Sequence, residues 1–248
     1  MLVAAALIPD TALLVPGVGG TADPGASLRA AALTAVRDVT RRESRVVVVA
    51  PGRSDRRLGP WARASFGAAG VPEELVGWPP PARELDRPAP HVTGPVAGTA
   101  ASVALVLLAW HGGAAADVVE VGTAVAGPDR GAELRALGRG LADEHPTALV
   151  VVGSASARHG PDAPLADDPR APAYDDQVVA DLVDAGPPAR ARLASCPQGL
   201  AGELAVTGWG PWQVLLGALG DGEVAARLLQ RDLLAGATHA VLTWVAAG

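Results

Sequence analysis

The sequence contains no lysine; all 20 of its basic residues are arginine. That absence removes several chemistries. A Walker-A loop sets a lysine on the nucleotide phosphates, and pyridoxal enzymes and Schiff-base aldolases need a lysine amine. Cysteine appears once, as Cys196, which excludes an intrachain disulfide and a cysteine-based zinc cluster. Basic residues never run beyond the pairs Arg41-Arg42 and Arg56-Arg57, and the net charge is −6. A nucleic-acid partner calls for a concentrated basic face, so none is expected. Long apolar runs are also missing. Beyond the opening stretch, Val103 to Trp110 is the longest, far too short to span a bilayer. No basic segment follows Met1 and Asp10 interrupts the first apolar stretch, so no signal peptide is read. The expectation is a cytoplasmic protein that meets neither nucleic acid nor membrane.

What is present is a large reserve of apolar residues. They make up 49% of the 248 residues, enough for the core of a single α/β domain spanning 1–248. Short β-branched runs predict strands over 2–8, 45–50, 118–121, 147–153 and 239–245. Several are apolar throughout, as strands covered on both faces are. Helical spacing predicts helices over 25–43, 129–144, 174–185, 211–219 and 222–235. The run 100–111 fits a helix better than a strand. A Pro-rich stretch at 77–98, which contains His91, predicts a loop that is either a site wall or a plain surface connection. Alternating strands and helices predict a central mixed sheet flanked by helices on both faces.

In such folds ligands bind beyond the carboxyl ends of the strands. Three segments fall there: Pro9-Asp10, Pro51-Gly52-Arg53, and Ser154 to His159. The last closes "VVVGSASARHG" (150–160), in which a buried strand runs into small residues and then Arg158 and His159. A histidine so placed can move protons near neutral pH. Asp175 and Asp176 read as a helix start without chemistry. Trp209 and Trp212 read as core or as a pocket wall, and His239 as a hydrogen-bonded residue opening the last strand.

Five segments in order, "AALIPDTALLVPG", "VVVVAPG", "GSASARHG", "APAYDDQVVADLV" and "GPWQVLLGAL", resemble the LigB-like superfamily, the catalytic-subunit family of class III extradiol ring-cleavage dioxygenases. The likeness covers most of the chain. It is strongest to small actinobacterial members described only as dioxygenase-like. The resemblance implies a ferrous iron held by two histidines and a glutamate, the facial triad of non-haem oxygenases. The first histidine position falls on Asp10. The second falls on Gly52, with Arg53 next to it. The glutamate matches Glu203, and the family's proton-handling histidine matches His159.

On this reading Asp10 and Glu203 are the remaining metal candidates. His159 is the catalytic candidate, and Arg158, Arg53 and Ser154 are candidates for binding substrate. Arg53 would stand where the iron should sit and pair with Asp10 or Glu203. The cofactor implied is Fe(II), or no metal at all if the site has decayed. The leading reading is a dioxygenase-like protein with an altered or lost iron site that binds a small phenolic or anionic ligand. A second is an active metalloenzyme with ligands Asp10, His159 and Glu203. A third is a non-catalytic interaction protein. The family implies a homo-oligomer, such as a dimer.

Overall fold

Valine- and alanine-rich runs too apolar to face water on either side become the inner strands. They are β1 (Leu2–Ile8), β2 (Arg45–Gly52), β4 (Asp117–Gly122) and β5 (Thr147–Val152). With β3 (Arg56–Arg57), β6 (Val224–Leu234) and β7 (Ala237–Ala246) they form one sheet in the order β3-β4-β2-β5-β1-β7-β6. The four inner strands are parallel; β3, β6 and β7 each run antiparallel to their neighbours. The computed structural model describes residues 1–42, 44–76, 94–111, 116–143 and 145–247. Residues 77–93 of the Pro-rich stretch, His91 among them, lie outside that set.

Among the described residues the helices are α1 (Ala26–Thr40), α2 (Glu73–Val76), α3 (Thr99–Trp110), α4 (Arg130–Asp143), α5 (Ala171–Asp184), α6 (Pro187–Ser195), α7 (Gln198–Glu203) and α8 (Trp209–Leu219). Side chains alternate across each strand, so the sheet feeds two cores. Ala4, Ala6, Ile8, Val46, Val48 and Val150 meet α1 and α3 on one face. Ala5, Leu7, Val47, Val49, Leu149 and Val151 meet α4, α5 and α8 on the other. The central mixed sheet with helices on both faces is therefore observed as expected. No helix among the described residues is long and apolar enough to cross a membrane.

One expected helix is a strand. Residues 222–235 combine Ala, Leu, Arg and Gln, all good helix formers, yet 224–234 pairs along its length with β7. The cause is the turn. Ala235 and Gly236 both have positive φ, 50° and 69°. Two such residues make the tight connection whose twist matches an antiparallel hairpin. Pairing with β7 then overrides local propensity. Nor does the sequence pattern signal α6 or the short edge strand β3.

Candidate functional site

The carboxyl ends of β1 and β5 lie side by side, with the start of antiparallel β7 beside β1. Ile8 ends β1, and Pro9 carries the chain to Asp10. The β5 strand ends at Val152, and Gly153 turns the chain away. A Cβ at Gly153 would lie 2.4 Å from Gly208 Cα, and φ there is 155°. Only glycine lets these two backbones touch. The contact docks the loop after β5 onto the α7–α8 connection: Ser154 N–H donates to Thr207 Oγ1 at 2.9 Å, and Gly208 N–H to the Ser154 carbonyl at 3.0 Å. The other side of the loop pairs with β7 through Ala155 N–H to the Thr238 carbonyl and Thr238 N–H to the Ser156 carbonyl.

Two polar clusters result. In the first, Ser154 Oγ donates to Asp10 Oδ1 at 2.5 Å and lies 2.8 Å from His239 Nδ1. Ser154 and His239 are buried. A nucleophilic triad has its histidine between acid and serine. Here the serine stands in the middle, so its one proton is already committed and it is not primed to attack. In the second cluster, His159 Nε2 meets Asp175 Oδ2 at 2.7 Å, with Thr238 Oγ1 at 3.3 Å. Asp175, from α5, is completely buried, and its Oδ1 accepts the Ser156 N–H at 2.9 Å. A carboxylate only accepts, so it holds the proton on Nε2 and leaves the Nδ1 lone pair of the neutral ring to act as a base. Asp175 is thus more than a helix start. An aspartate four residues into a helix after a histidine loop carries no signal of this in sequence; only the packing of α5 against the loop reveals it.

Burial pushes the His239 imidazole below its usual range, against the opposing pull of Asp10 and Asp232. The folded protein therefore keeps this ring neutral where the unfolded chain protonates it, near pH 6.5. The unfolded state binds more protons below that pH. This contribution is constant above it and is lost as pH falls toward the folded-state value, by up to about 1.4 kcal/mol per pH unit. Urea midpoints measured from pH 7.5 to 5.5 are expected to fall for the native protein and to fall less for His239→Gln; equal slopes would remove His239 from the account.

The other sequence candidates scatter. Arg158 turns back on its own loop, donating to the Ala166 carbonyl at 2.9 Å. Arg53 is exposed and pairs with neither Asp10 nor Glu203. Glu203, at the end of α7, is a surface carboxylate paired with Arg170 at 2.9 Å. The expected Arg53 pairing is thus corrected. Asp10 takes a neutral hydroxyl instead, and Glu203 faces solvent on a different element.

Position 52 has little room for a side chain. A Cβ on Gly52 would lie 2.9 Å from Glu120 Cβ and 3.1 Å from Glu120 Oε2. Glu120, on the neighbouring β4, is buried. It accepts from Gly98 N–H at 2.6 Å at the start of α3 and from Arg56 Nε at 2.8 Å. The space that a side chain at position 52 would need is filled by this ion pair. A ferrous triad needs three donors converging on one point. The Asp10 carboxylate is tied to Ser154, position 52 has no side chain, and Glu203 lies with Arg170. Among the described residues no group of three His, Cys, Asp or Glu side chains comes together. The residues present do not fit the ligand set that the resemblance implies.

Beyond these clusters, the end of β4 and the α7–α8 connection border a half-open cavity of about 350 Å³. No model of a protein family matches the chain, and no curated protein matches it in sequence. The fold is similar to that in the crystal structure of the uncharacterized protein JW3007 from Escherichia coli K12. The TM-score is 0.52 over 98% of this chain and 99% of that one, at 16% sequence identity. A likeness at that identity speaks for the fold, here an α/β sheet with helices on both faces.

Proposed function

We propose that this chain is a LigB-like, dioxygenase-related protein in which the proton-handling histidine persists while the iron-ligand positions serve the structure. Its strand-end site takes a small phenolic or anionic molecule with little or no ring cleavage. The observation that carries this is the His159–Asp175 pair, at 2.7 Å, set beside ligand positions that no longer converge. In this reading His159 Nδ1 accepts the proton of a phenolic hydroxyl. The new imidazolium is held by Asp175, and the phenolate oxygen keeps the electron pair of the broken O–H bond. The buried carboxylate orients the ring and stabilises its charged form, as second partners of catalytic histidines do.

An anaerobic Fe(II) titration by calorimetry, run on native protein and on Asp10→Ala, tests the loss of iron. No saturable micromolar site is expected in either. A tight site in the native protein that disappears in Asp10→Ala would overturn the reading and restore a metalloenzyme. Catechol added to the native protein is expected to shift the His159 side-chain resonances, and to leave them unmoved if no ligand meets that ring.

A further inference from the structure

The cavity at the end of β4 touches none of the catalytic, metal or substrate candidates: Asp10, Arg53, Ser154, Arg158, His159 and Glu203 are all absent from its walls, while Trp209, read from sequence as core or as a pocket wall, is in them. Its lining combines apolar side chains (Val121, Leu134, Trp209) with three neutral polar ones, Thr123, Gln198 and Thr207. Among the described residues no ionisable side chain contributes to it. We propose that this cavity is a binding site for an uncharged, largely apolar ring compound with a single hydrogen-bond donor. The inference stands apart from the function proposed above and does not depend on it.

Charge is the first discriminator. An ion settling against these walls would shed part of its water and find no countercharge there, so a neutral guest is favoured. The volume is the second: about 350 Å³ lies at the small end of ligand pockets, room for a compact ring system. The walls are also preformed. The Trp209 indole N–H is anchored to the Cys196 carbonyl at 2.9 Å, so the ring presents its apolar surface in one orientation. The Gln198 side-chain N–H donates to the Val125 carbonyl at 2.8 Å, which fixes the amide and leaves its oxygen to accept from a guest. Ala205 holds a φ of 56°, a left-handed conformation costly for a residue with a Cβ. That conformation ends α7, with Val206 N–H donating to the Ala201 carbonyl at 2.8 Å and Ala205 N–H to the Gly202 carbonyl at 3.1 Å, and these bonds fix the course of the chain along the cavity wall.

Indole and indole-3-carboxylate share a ring and differ in charge, so they serve as probes. In two-dimensional NMR of the full chain, indole is expected to shift the Trp209 side-chain N–H resonance, with binding at least tenfold tighter than for the carboxylate. Two variants fill the cavity. At Gly202 an added Cβ meets nothing within 4 Å, so Gly202→Leu keeps the fold. At the buried wall residue Ala201, Ala201→Leu projects from the inner side of α7. Both are expected to weaken indole binding at least tenfold. The inference is overturned if indole leaves the Trp209 signal unmoved, if the carboxylate binds as well as indole, or if neither variant weakens binding. None of these outcomes bears on the iron titration or on the His159 resonances, so the two proposals fail separately.

Discussion

Gly153→Ala is expected to cost about 4 kcal/mol or more, a large share of the roughly 5–15 kcal/mol that holds a domain folded. The added methyl carbon would stand 2.4 Å from Gly208 Cα and 2.8 Å from Gly208 N. Both are backbone atoms, so no side-chain rotation relieves the clash. Either the β5 loop lifts from the α7–α8 connection, breaking the Ser154–Thr207 and Gly208–Ser154 hydrogen bonds, or the strand end itself shifts. Gly160→Ala provides the control. Gly160 also has positive φ, 72°, but an added Cβ there meets nothing within 4 Å. Its cost should be near 1 kcal/mol, roughly the conformational penalty alone. Urea denaturation of both variants separates the two effects. Similar losses at the two positions would show that the docking of the loop is not what holds the strand-end clusters in place.

Replacing Asp175 by alanine should destabilise the protein by about 3 kcal/mol or more, because it strands a buried partner. The Ser156 N–H and the His159 ring both lose their acceptor in a place where water does not replace it. The variant Asp175→Asn is more informative. Ser156 N–H still requires an oxygen, so the new side-chain amide would turn its NH2 toward His159. A donor facing Nε2 forces that nitrogen to accept, and the proton of the neutral ring moves to Nδ1. Nitrogen-15 shifts of the His159 ring are therefore expected to report the Nε2–H tautomer in the native protein and the Nδ1–H tautomer in Asp175→Asn. The base would be lost at the atom that faces away from Asp175, while the fold is kept. The same tautomer in both proteins would mean that Asp175 packs beside His159 without directing it.

The layered α/β fold is legible in local pattern, because strands covered on two faces must be apolar at successive positions. Leu2–Ile8, Arg45–Gly52 and Thr147–Val152 all carry that mark. Which residues follow each strand is legible too, and His159 is among them. The hairpin from 224 to 246 is not, since its first strand carries helix-forming residues and its strongest signal is one Ala-Gly pair. The helix reading rests on propensities worth roughly a fraction of a kcal/mol per residue. Pairing along the whole of β7 outweighs them.

The chemistry of the site divides in the same manner. Composition and residue order suffice to show what this protein lacks, lysine chemistry and cysteine clusters among them. They also suffice to show which residues follow each strand. What those residues meet is decided by the packing of the folded chain. Asp10 meets Ser154 across 144 positions, Ser154 meets His239 across 85, and Glu120 fills the side-chain space of Gly52 from a neighbouring strand. Glu203 looks like a ligand by its place in the chain and is a solvent-facing partner of Arg170 by its place in space. Asp175 looks like a helix start and is the buried carboxylate behind His159. Hydrogen bonds and ion pairs act over about 3 Å whatever the separation along the chain, so partners this distant are set by the packing of whole elements.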